Sequence, residues 1–341
     1  MGIIEFHHMK LFSLLLCGVC GVDSFSHLPA RVRLLTKSPN LKDEKVVIQS
    51  VVPSVKGLLT KKSPNLEEGE GVIQSVVPSV RGGSIFPMSQ ILPPTYLKLT
   101  LLSFLTTSIG FNKFVFFFSL GYGLTMTAMS STVLFGLPNL PLLPKLHVAA
   151  FGIYGIRLFA FLLNRWRIPS QRAKIEKREN SVTLKSKLSI WIFAGLLYPA
   201  MFSPAWFHAT TANSLCCSTL SHLKVPGLAV MYLGLLLESV ADFQKSCAKK
   251  KSDSFVSTGV WKYSRHANYL GEILFYVGSG LAGTSSFAKS PLRGATALIG
   301  TIGIINTMLS ATKRLDKSQA EKYGEVTGYK EYLASSKPLA W

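Results

Sequence analysis

The chain has 341 residues, of which 48% are hydrophobic, and its mean hydropathy is +0.31. Its apolar residues gather into runs near the roughly 20 helical residues that cross a hydrocarbon core, which argues against a soluble globular protein. The formal net charge is +20, but the Lys and Arg residues lie between the apolar runs rather than in patches interleaved with aromatic residues. This distribution argues against nucleic-acid binding and favours charges that set membrane topology.

The first segment has the pattern of a signal peptide. Lys10 precedes a short apolar run at 11–22 that ends in small residues, and such a run is short for a membrane span. We therefore predict that residues 1–24 are a signal peptide or a signal anchor. The stretch VDSF at 22–25 also resembles the cleavage motif of proteins sent to complex algal plastids. The expected location is a plastid membrane or the endoplasmic reticulum membrane.

Residues 25–90 contain an internal repeat. LLTKSPNL at 34–41 recurs as LLTKKSPNL at 58–66, and VIQSVVPSV at 47–55 recurs unchanged at 72–80. Two copies are too few to stack a solenoid core, which needs about three repeats. The Ser, Pro and Lys content is typical of a flexible segment. We therefore predict a disordered leader, which would be a transit peptide if the plastid route applies.

Seven apolar runs predict an all-α transmembrane bundle of six or seven spans, formed by residues 91–341. The runs lie at 95–109, 114–137, 147–163, 188–207, 225–243, 269–282 and 292–309. The first and the sixth are short for a span, which is why the expected number is six or seven. No alternating pattern of the kind that predicts strands competes with these runs.

Three segments between or after the apolar runs are rich in basic residues. They are 164–187, 244–266 and the tail after Ala311, whereas the intervening loops carry little charge. Basic residues collect on the cytosolic flanks of membrane spans. We therefore expect these three segments to lie on one side of the membrane, with Cys216 and Cys217 on the other. The five cysteines have no zinc-type spacing, so we predict no metal site.

Arg157, Glu238 and Asp242 are ionisable residues inside apolar runs, where a charge is costly and usually faces the bundle interior or a wet cavity. Arg157 lies within the third run, and Glu238 and Asp242 lie near the end of the fifth. Glu238 and Asp242 are four residues apart and therefore share a helix face. For Asp242, the sequence leaves open a purely structural ion pair with Lys245.

A denser polar cluster occupies 259–272, GVWKYSRHANYLGE, and enters the sixth apolar run. On a helix, Asn268, Glu272 and Tyr276 line one face, with Arg265 one turn before them. This face presents hydrogen-bond donors, acceptors and a cation at the membrane boundary. Such a combination suits an amphipathic ligand with a charged head, such as a nucleotide.

Together with ESVADFQK at 238–245, this cluster resembles the signature of the steroid 5-alpha-reductase C-terminal superfamily. YGIRL at 154–158 and EKYG at 321–324 are similar to other parts of that family, and the likeness covers 154–341. It is nearest to a branch with bacterial, algal and plant members. The resemblance implies a helical bundle of about seven spans that uses NADPH to reduce a carbon–carbon double bond of a sterol, isoprenoid or other lipid.

The resemblance also implies which residues form the site. The residues expected to contact NADPH or to share its pocket are Asp242, Tyr263, Arg265, His266, Asn268, Tyr269, Glu272, Lys313 and Arg314. Glu238 and Tyr154 are the candidate proton donors to the substrate. The family usually has a proline after the histidine, whereas this chain has Ala267, which still tolerates a helix start. The expected partners are the lipid substrate and membrane lipids, with no nucleic acid and no obligate protein partner.

Two other functions stay open from the sequence. Isoprenylcysteine carboxyl methyltransferases belong to the same superfamily, share the Arg-His-x-x-Tyr-x-Gly core and use S-adenosylmethionine. Their motif lacks the Asn-Tyr-x-Gly-Glu ending and the Ala-Asp-x-Gln-Lys element of this chain. The other alternative is a non-catalytic lipid-binding membrane protein. The polar face of Asn268 and Glu272 counts against it, because polar groups buried without a ligand cost stability.

Overall fold

A computed structural model describes residues 94–211, 219–251, 254–288 and 290–339, which fold as helices joined by short connections. The predicted signal segment, the repeat-containing leader, Cys216 and Cys217 lie outside these ranges. The α-helices of the described chain are α1 Pro94–Thr107, α2 Leu120–Gly136, α3 Leu142–Trp166, α4 Pro169–Glu179, α5 Leu184–Thr210, α6 Lys224–Lys251, α7 Ala267–Phe287, α8 Pro291–Tyr323 and α9 Tyr329–Ser335. Short 3-10 helices lie at Ser108–Phe111, Phe114–Phe118, Ser221–Leu223 and Gly259–Lys262.

Five helical segments are long and apolar enough to cross a membrane. They are Phe114–Gly136, Leu142–Trp166, Leu184–Thr210, Ser221–Lys249 and Pro291–Tyr323. The prediction of an all-α membrane protein is therefore confirmed. The first and sixth predicted runs also form helices, α1 and α7, but neither is among the five segments that are long and apolar enough to cross a membrane. Helix α1 has only 14 residues, and α7 contains Asn268, Glu272 and several glycines.

The outer faces of the helices carry large aliphatic side chains. Leu105, Ile156, Leu233 and Leu236 are between 60% and 70% exposed. A soluble protein rarely exposes a continuous surface of this kind, whereas lipid tails are as apolar as leucine. Helices also satisfy their own backbone hydrogen bonds, as hydrocarbon requires. These faces therefore form the lipid-facing surface of the bundle.

Helices α6 and α7 pack closely because glycines lie where they cross. A Cβ atom on Gly234 would lie 2.4 Å from the Phe275 nitrogen, and a Cβ atom on Gly271 would lie 2.6 Å from the Glu238 nitrogen. Both separations are far below van der Waals contact, so only glycine fits at these crossings. Small residues allow the backbones of membrane helices to approach each other in this way. The close crossing places Glu238 and Glu272 near the same point of the interface.

The three basic segments meet at one end of the bundle, which we call the basic end. Arg165, at the end of α3, is close enough to Lys245 and Tyr269 for its charge to act on both. Arg265 donates hydrogen bonds to the carbonyl oxygens of Leu333 and Ser336 in the C-terminal segment. The segment 164–187 is not simply a loop, because α4 forms a helix within it.

Helix α8 is longer than a membrane span requires. Its 33 residues correspond to about 50 Å at about 1.5 Å per residue, whereas the hydrocarbon core is about 30 Å thick. Its N-terminal half is apolar, and its charged residues begin again at Lys313. The charged half therefore extends beyond the hydrocarbon at the basic end, where it leads into α9.

Candidate functional site

The polar cluster at 259–272 spans the loop before α7 and the first turns of that helix, which begins at Ala267 next to the basic end. Asn268, Glu272 and Tyr276 follow one another at intervals of four residues and line one face of this helix. Asn268 is half-buried, while Glu272 and Tyr276 are 7% and 1% exposed. The face therefore leads from the basic end into the apolar interior of the bundle.

Glu272 is surrounded by tyrosine hydroxyl groups inside the bundle. The hydroxyls of Tyr122 and Tyr154 each donate to Glu272 Oε1 at 3.0 Å. The Tyr122 hydroxyl lies 2.6 Å from the Tyr276 hydroxyl and 3.1 Å from the Tyr154 hydroxyl. We call these four residues the tyrosine–glutamate cluster. Its members come from α2, α3 and α7, so it forms only when the three helices pack together.

A second buried cluster, which we call the charge cluster, contains three charged side chains. Arg157 Nη1 donates to Asp242 Oδ2 at 2.8 Å, and Arg157 Nη2 donates to Glu238 Oε1. The side chains of Glu238 and Asp242 are 5% and 9% exposed. Buried carboxylates require a partner of opposite charge, and Arg157 supplies it to both. Lys245, the partner considered for Asp242 from the sequence, instead lies over the Trp261 ring, with Nζ 4.6 Å from its centroid.

One oxygen of this charge cluster lacks a partner. Glu238 Oε2 is buried and makes no hydrogen bond with any described residue. The Asn268 side chain also has no hydrogen-bond partner among the described residues. Unpaired buried polar groups are costly in a folded protein. Glu238 Oε2 therefore marks a position where a ligand or water would complete the structure, whereas the Asn268 amide is only half-buried.

The loop before α7 is held to α6 by specific contacts. Trp261 Nε1 donates to the Ala241 carbonyl oxygen at 3.0 Å, and the Val260 N–H donates to Gln244 Oε1 at 3.0 Å. Gly259 has a φ of 63°, in the left-handed region that favours glycine. This conformation turns the chain back toward α6, so the ESVADFQK and GVWKYSRHANYLGE motifs lie side by side.

Arg265 and His266 both contact Asp316 on α8. His266 Nε2 lies 2.8 Å from Asp316 Oδ1, and Arg265 Nε lies 3.5 Å from the same oxygen. Burial lowers the pKa of the His266 imidazole below its usual 6.5, because it outweighs the opposing effect of Asp316. His266 is therefore neutral at pH 7 and donates from Nε2. The Tyr269 ring stacks on that of His266, with centroids 5.6 Å apart.

The C-terminal segment fastens the motif loop from the other side. The Arg265 N–H donates to the Lys337 carbonyl oxygen at 2.8 Å, and Ser264 and Lys337 form an isolated parallel bridge. The Tyr332 hydroxyl donates to the Trp261 carbonyl oxygen at 2.8 Å. The Arg265 guanidinium is also committed to this segment, through Leu333 and Ser336. We call residues 329–339 the C-terminal clasp.

The remaining residues predicted for the cofactor lie at the surface of the basic end. Tyr263 is 73% exposed, and Lys313 and Arg314 are exposed on α8. The charge of Arg314 acts on Tyr269, which places Arg314 near the start of α7. A cavity of about 390 Å³ opens at the same end between α2, α3 and α4, and it is lined in part by Phe116, Arg165 and Trp166.

Three members of the site were not predicted from the sequence. Tyr122 lies in an apolar run that contains no charged residue, so nothing in the sequence singles it out. Asp316 follows the last apolar run among several charged residues. Arg165 stands among the basic residues of its segment, and nothing in the sequence indicates that it approaches Lys245 and Tyr269. Helical spacing within α2 or α8 alone does not indicate what these side chains contact, because their partners lie on other helices.

The fold and these clusters define an α-helical membrane protein with a buried polar site at one end of its bundle. The family described as "Protein of unknown function (DUF1295)" matches residues 107–336, and the chain belongs to this family. The match includes the tyrosine–glutamate cluster, the charge cluster and most of the C-terminal clasp. No curated protein and no solved structure matches the chain.

Proposed function

We propose that the protein is a membrane oxidoreductase that uses NADPH to reduce a polarised carbon–carbon double bond of a lipid. One observation carries the proposal: the polar face of α7 connects the basic end with the buried tyrosine–glutamate cluster. A ligand bound along this face would have its charged part near Asn268 and its reactive part near Glu272. The resemblance of the α6 and α7 motifs to the 5-alpha-reductase superfamily supports the choice of NADPH.

The groups at the start of α7 suit the chemistry of a phosphorylated nucleotide. Asn268 offers an amide without a protein partner, and the first backbone N–H groups of a helix favour an anion. Arg165, Lys313 and Arg314 add exposed positive charge at the same end. Arginine and lysine are the usual side-chain partners of phosphate. These residues would hold the cofactor, whereas Arg265 is committed to the C-terminal clasp.

The buried tyrosines suit the other half of the reaction. NADPH, when bound, supplies a hydride to the carbon β to a carbonyl and leaves as NADP⁺. On substrate binding, Tyr154 would turn its single O–H from Glu272 Oε1 to the substrate carbonyl oxygen, which carries the negative charge that develops. A proton from solvent water then reaches the α-carbon through the cluster hydroxyls, so that with the hydride the lipid gains two electrons and two hydrogens. Before substrate binds, Glu272 accepts from Tyr122 and Tyr154 and so positions both hydroxyls.

Nucleotide binding by the purified full chain tests the cofactor side. Titration in nanodiscs should show saturable binding of NADPH, and Asn268→Ala should weaken it by roughly 5- to 150-fold, the equivalent of about 1–3 kcal/mol. Asn180→Ala removes an exposed amide from the turn after α4 and should leave the affinity unchanged. Binding of S-adenosylmethionine without any response to NADPH would instead favour a methyltransferase. Binding of neither would favour the non-catalytic alternative.

Turnover tests the substrate side. With an α,β-unsaturated ketone lipid, Tyr154→Phe should lower the rate of NADPH oxidation by about 10²- to 10⁴-fold while leaving NADPH affinity unchanged, because it removes a proton donor. Tyr232→Phe is the matched control, since the Tyr232 hydroxyl contacts the Leu146 carbonyl oxygen outside the cluster. Equal rates in wild type and Tyr154→Phe would show that another group donates the proton.

A further inference from the structure

A second polar site lies at the opposite end of the bundle, which we call the far end. It is formed where α3 and α6 begin and where α5 and α7 end. A cavity of about 220 Å³ opens there, and its lining includes Leu142, Leu143, His208 and Lys224. None of the residues in the tyrosine–glutamate or charge clusters lines this cavity, so the proposed reductase site does not account for it.

The cavity is backed by a chain of buried hydrogen bonds. His208 Nδ1 lies 3.1 Å from His147 Nδ1, and His147 Nε2 lies 2.9 Å from Ser279 Oγ. His208 is 2% exposed, and His147 and Ser279 are completely buried. We call these three residues the histidine relay. They come from α5, α3 and α7, so the relay joins three of the four helices that surround the cavity.

The direction of the relay follows once the buried Ser279 hydroxyl is taken as a donor, because either nitrogen of a neutral imidazole can carry the proton. Ser279 Oγ has no other partner among the described residues, and donation to His147 Nε2 would satisfy its O–H. A neutral imidazole carries one N–H, and His147 must therefore carry it on Nδ1 and donate to His208 Nδ1. His208 then carries its own N–H on Nε2. Within the described chain Nε2 has no acceptor, and because His208 lines the cavity, this donor is available to a ligand there.

The charge around the cavity has one sign. Lys224 lines it, whereas no described Asp or Glu does. The acidic residues of α6 and α7 that come nearest along the chain, Glu238 and Glu272, lie far from the ends that form the cavity. Helix α3 also begins here, and the N–H groups of Leu142 and Leu143 have no intrahelical acceptor. A helix N-terminus carries partial positive charge, which adds to that of Lys224.

We propose that this cavity binds an anionic oxygen group, a phosphate or a carboxylate, of an amphipathic molecule. Lys224 would supply the opposing charge, and His208 Nε2–H would supply a directed hydrogen bond. The Leu142 and Leu143 side chains provide an apolar wall against which a hydrocarbon part can lie. The site is separate from the proposed nucleotide site, because it lies at the other end of the helices and uses none of its residues.

The test is the thermal unfolding midpoint of the purified full chain, titrated with dihexanoyl phosphatidic acid, inorganic phosphate or octanoate. Dihexanoyl phosphatidylcholine is the zwitterionic control. Lys224→Gln and His208→Phe should each weaken the apparent affinity for the anionic probe by about tenfold or more, the expected loss of a hydrogen bond to a charged group. Lys98→Gln makes the same charge change at an exposed position outside the cavity and should leave the affinity unchanged.

The probes separate the sources of the anion. Stabilisation by phosphatidic acid or octanoate, but not by inorganic phosphate, identifies an amphipathic ligand as proposed. Equal stabilisation by inorganic phosphate assigns the site to a free anion and overturns the amphipathic part. No saturable response to any anionic probe, or equal losses in Lys98→Gln and Lys224→Gln, overturns the site itself. If His208→Phe fails to fold, the Lys224→Gln variant alone tests the site, because the Lys224 side chain is only partly buried and its replacement should not prevent folding.

Discussion

The two ends of the bundle bury polar groups in different ways. Toward the basic end, Arg157 is placed between two carboxylates, and Glu272 is surrounded by tyrosine hydroxyls. At the far end, the histidine relay contains no carboxylate and consists of two imidazoles and one hydroxyl, which can satisfy one another without a charge. A buried charge requires an opposite charge nearby, whereas a neutral network requires only matched donors and acceptors. The comparison therefore predicts that the two ends respond differently to substitution.

The largest effect is expected when the charge cluster loses its cation. Arg157→Ala leaves Glu238 and Asp242 buried and unpaired, which should lower the free energy of unfolding by about 3–5 kcal/mol. Arg172→Ala is the matched control, because Arg172 pairs with Glu176 on an exposed surface, and its loss should cost less than about 1 kcal/mol. Chemical unfolding of both variants in nanodiscs measures the difference. Similar losses would mean that the charge cluster is not shielded from water.

A smaller loss is expected from the histidine relay. His147→Phe keeps a ring of similar size but leaves Ser279 Oγ and His208 Nδ1 without partners, at a cost of about 1–3 kcal/mol. His222→Phe removes an exposed imidazole whose hydrogen bond to Thr219 is accessible to water, and it should change stability little. The same unfolding measurement applies. If His147→Phe proved as damaging as Arg157→Ala, the two ends would not differ as described.

The smallest effect is expected at the C-terminal clasp. Tyr332→Phe removes one hydrogen bond, to the Trp261 carbonyl oxygen, which typically contributes about 0.5–1.5 kcal/mol. Tyr263→Phe is the control, because that side chain is 73% exposed. Hydrogen exchange at the amides of 259–266 gives a local measurement. Faster exchange in Tyr332→Phe alone would show that the clasp holds the motif loop.

The sequence predicted the helices well because each span is a long apolar run. Every predicted run coincides with a helix, but two of the helices extend well beyond the predicted runs. Helix α6 continues to Lys251 and α8 to Tyr323, well past the predicted ends at 243 and 309. Beyond the apolar run, both helices continue through charged residues. Hydropathy indicates where hydrocarbon ends rather than where a helix ends, so these extensions, like α4, were not predicted.

The arrangement of site residues along one helix was predicted from the sequence more completely than the contacts between residues of different helices. The shared face of Asn268, Glu272 and Tyr276 follows from a spacing of four residues, and it is present in the structure. The pairing of Arg157 with Glu238 and Asp242 depends on how α3 packs against α6. No spacing within one segment encodes that contact. The roles of these residues toward NADPH stay predictions that the proposed titrations test.

The C-terminal clasp has a consequence for the order of events during synthesis. The motif loop at 259–266 is fastened by Tyr332, Ser336 and Lys337, which follow it by more than 60 residues. A nascent chain with α6 and α7 already inserted would still lack these residues, because α8 must first leave the ribosome. The loop therefore reaches its final geometry only after the last helices have been translated. Ribosome-stalled chains that end before Tyr329 should have an open, protease-accessible loop.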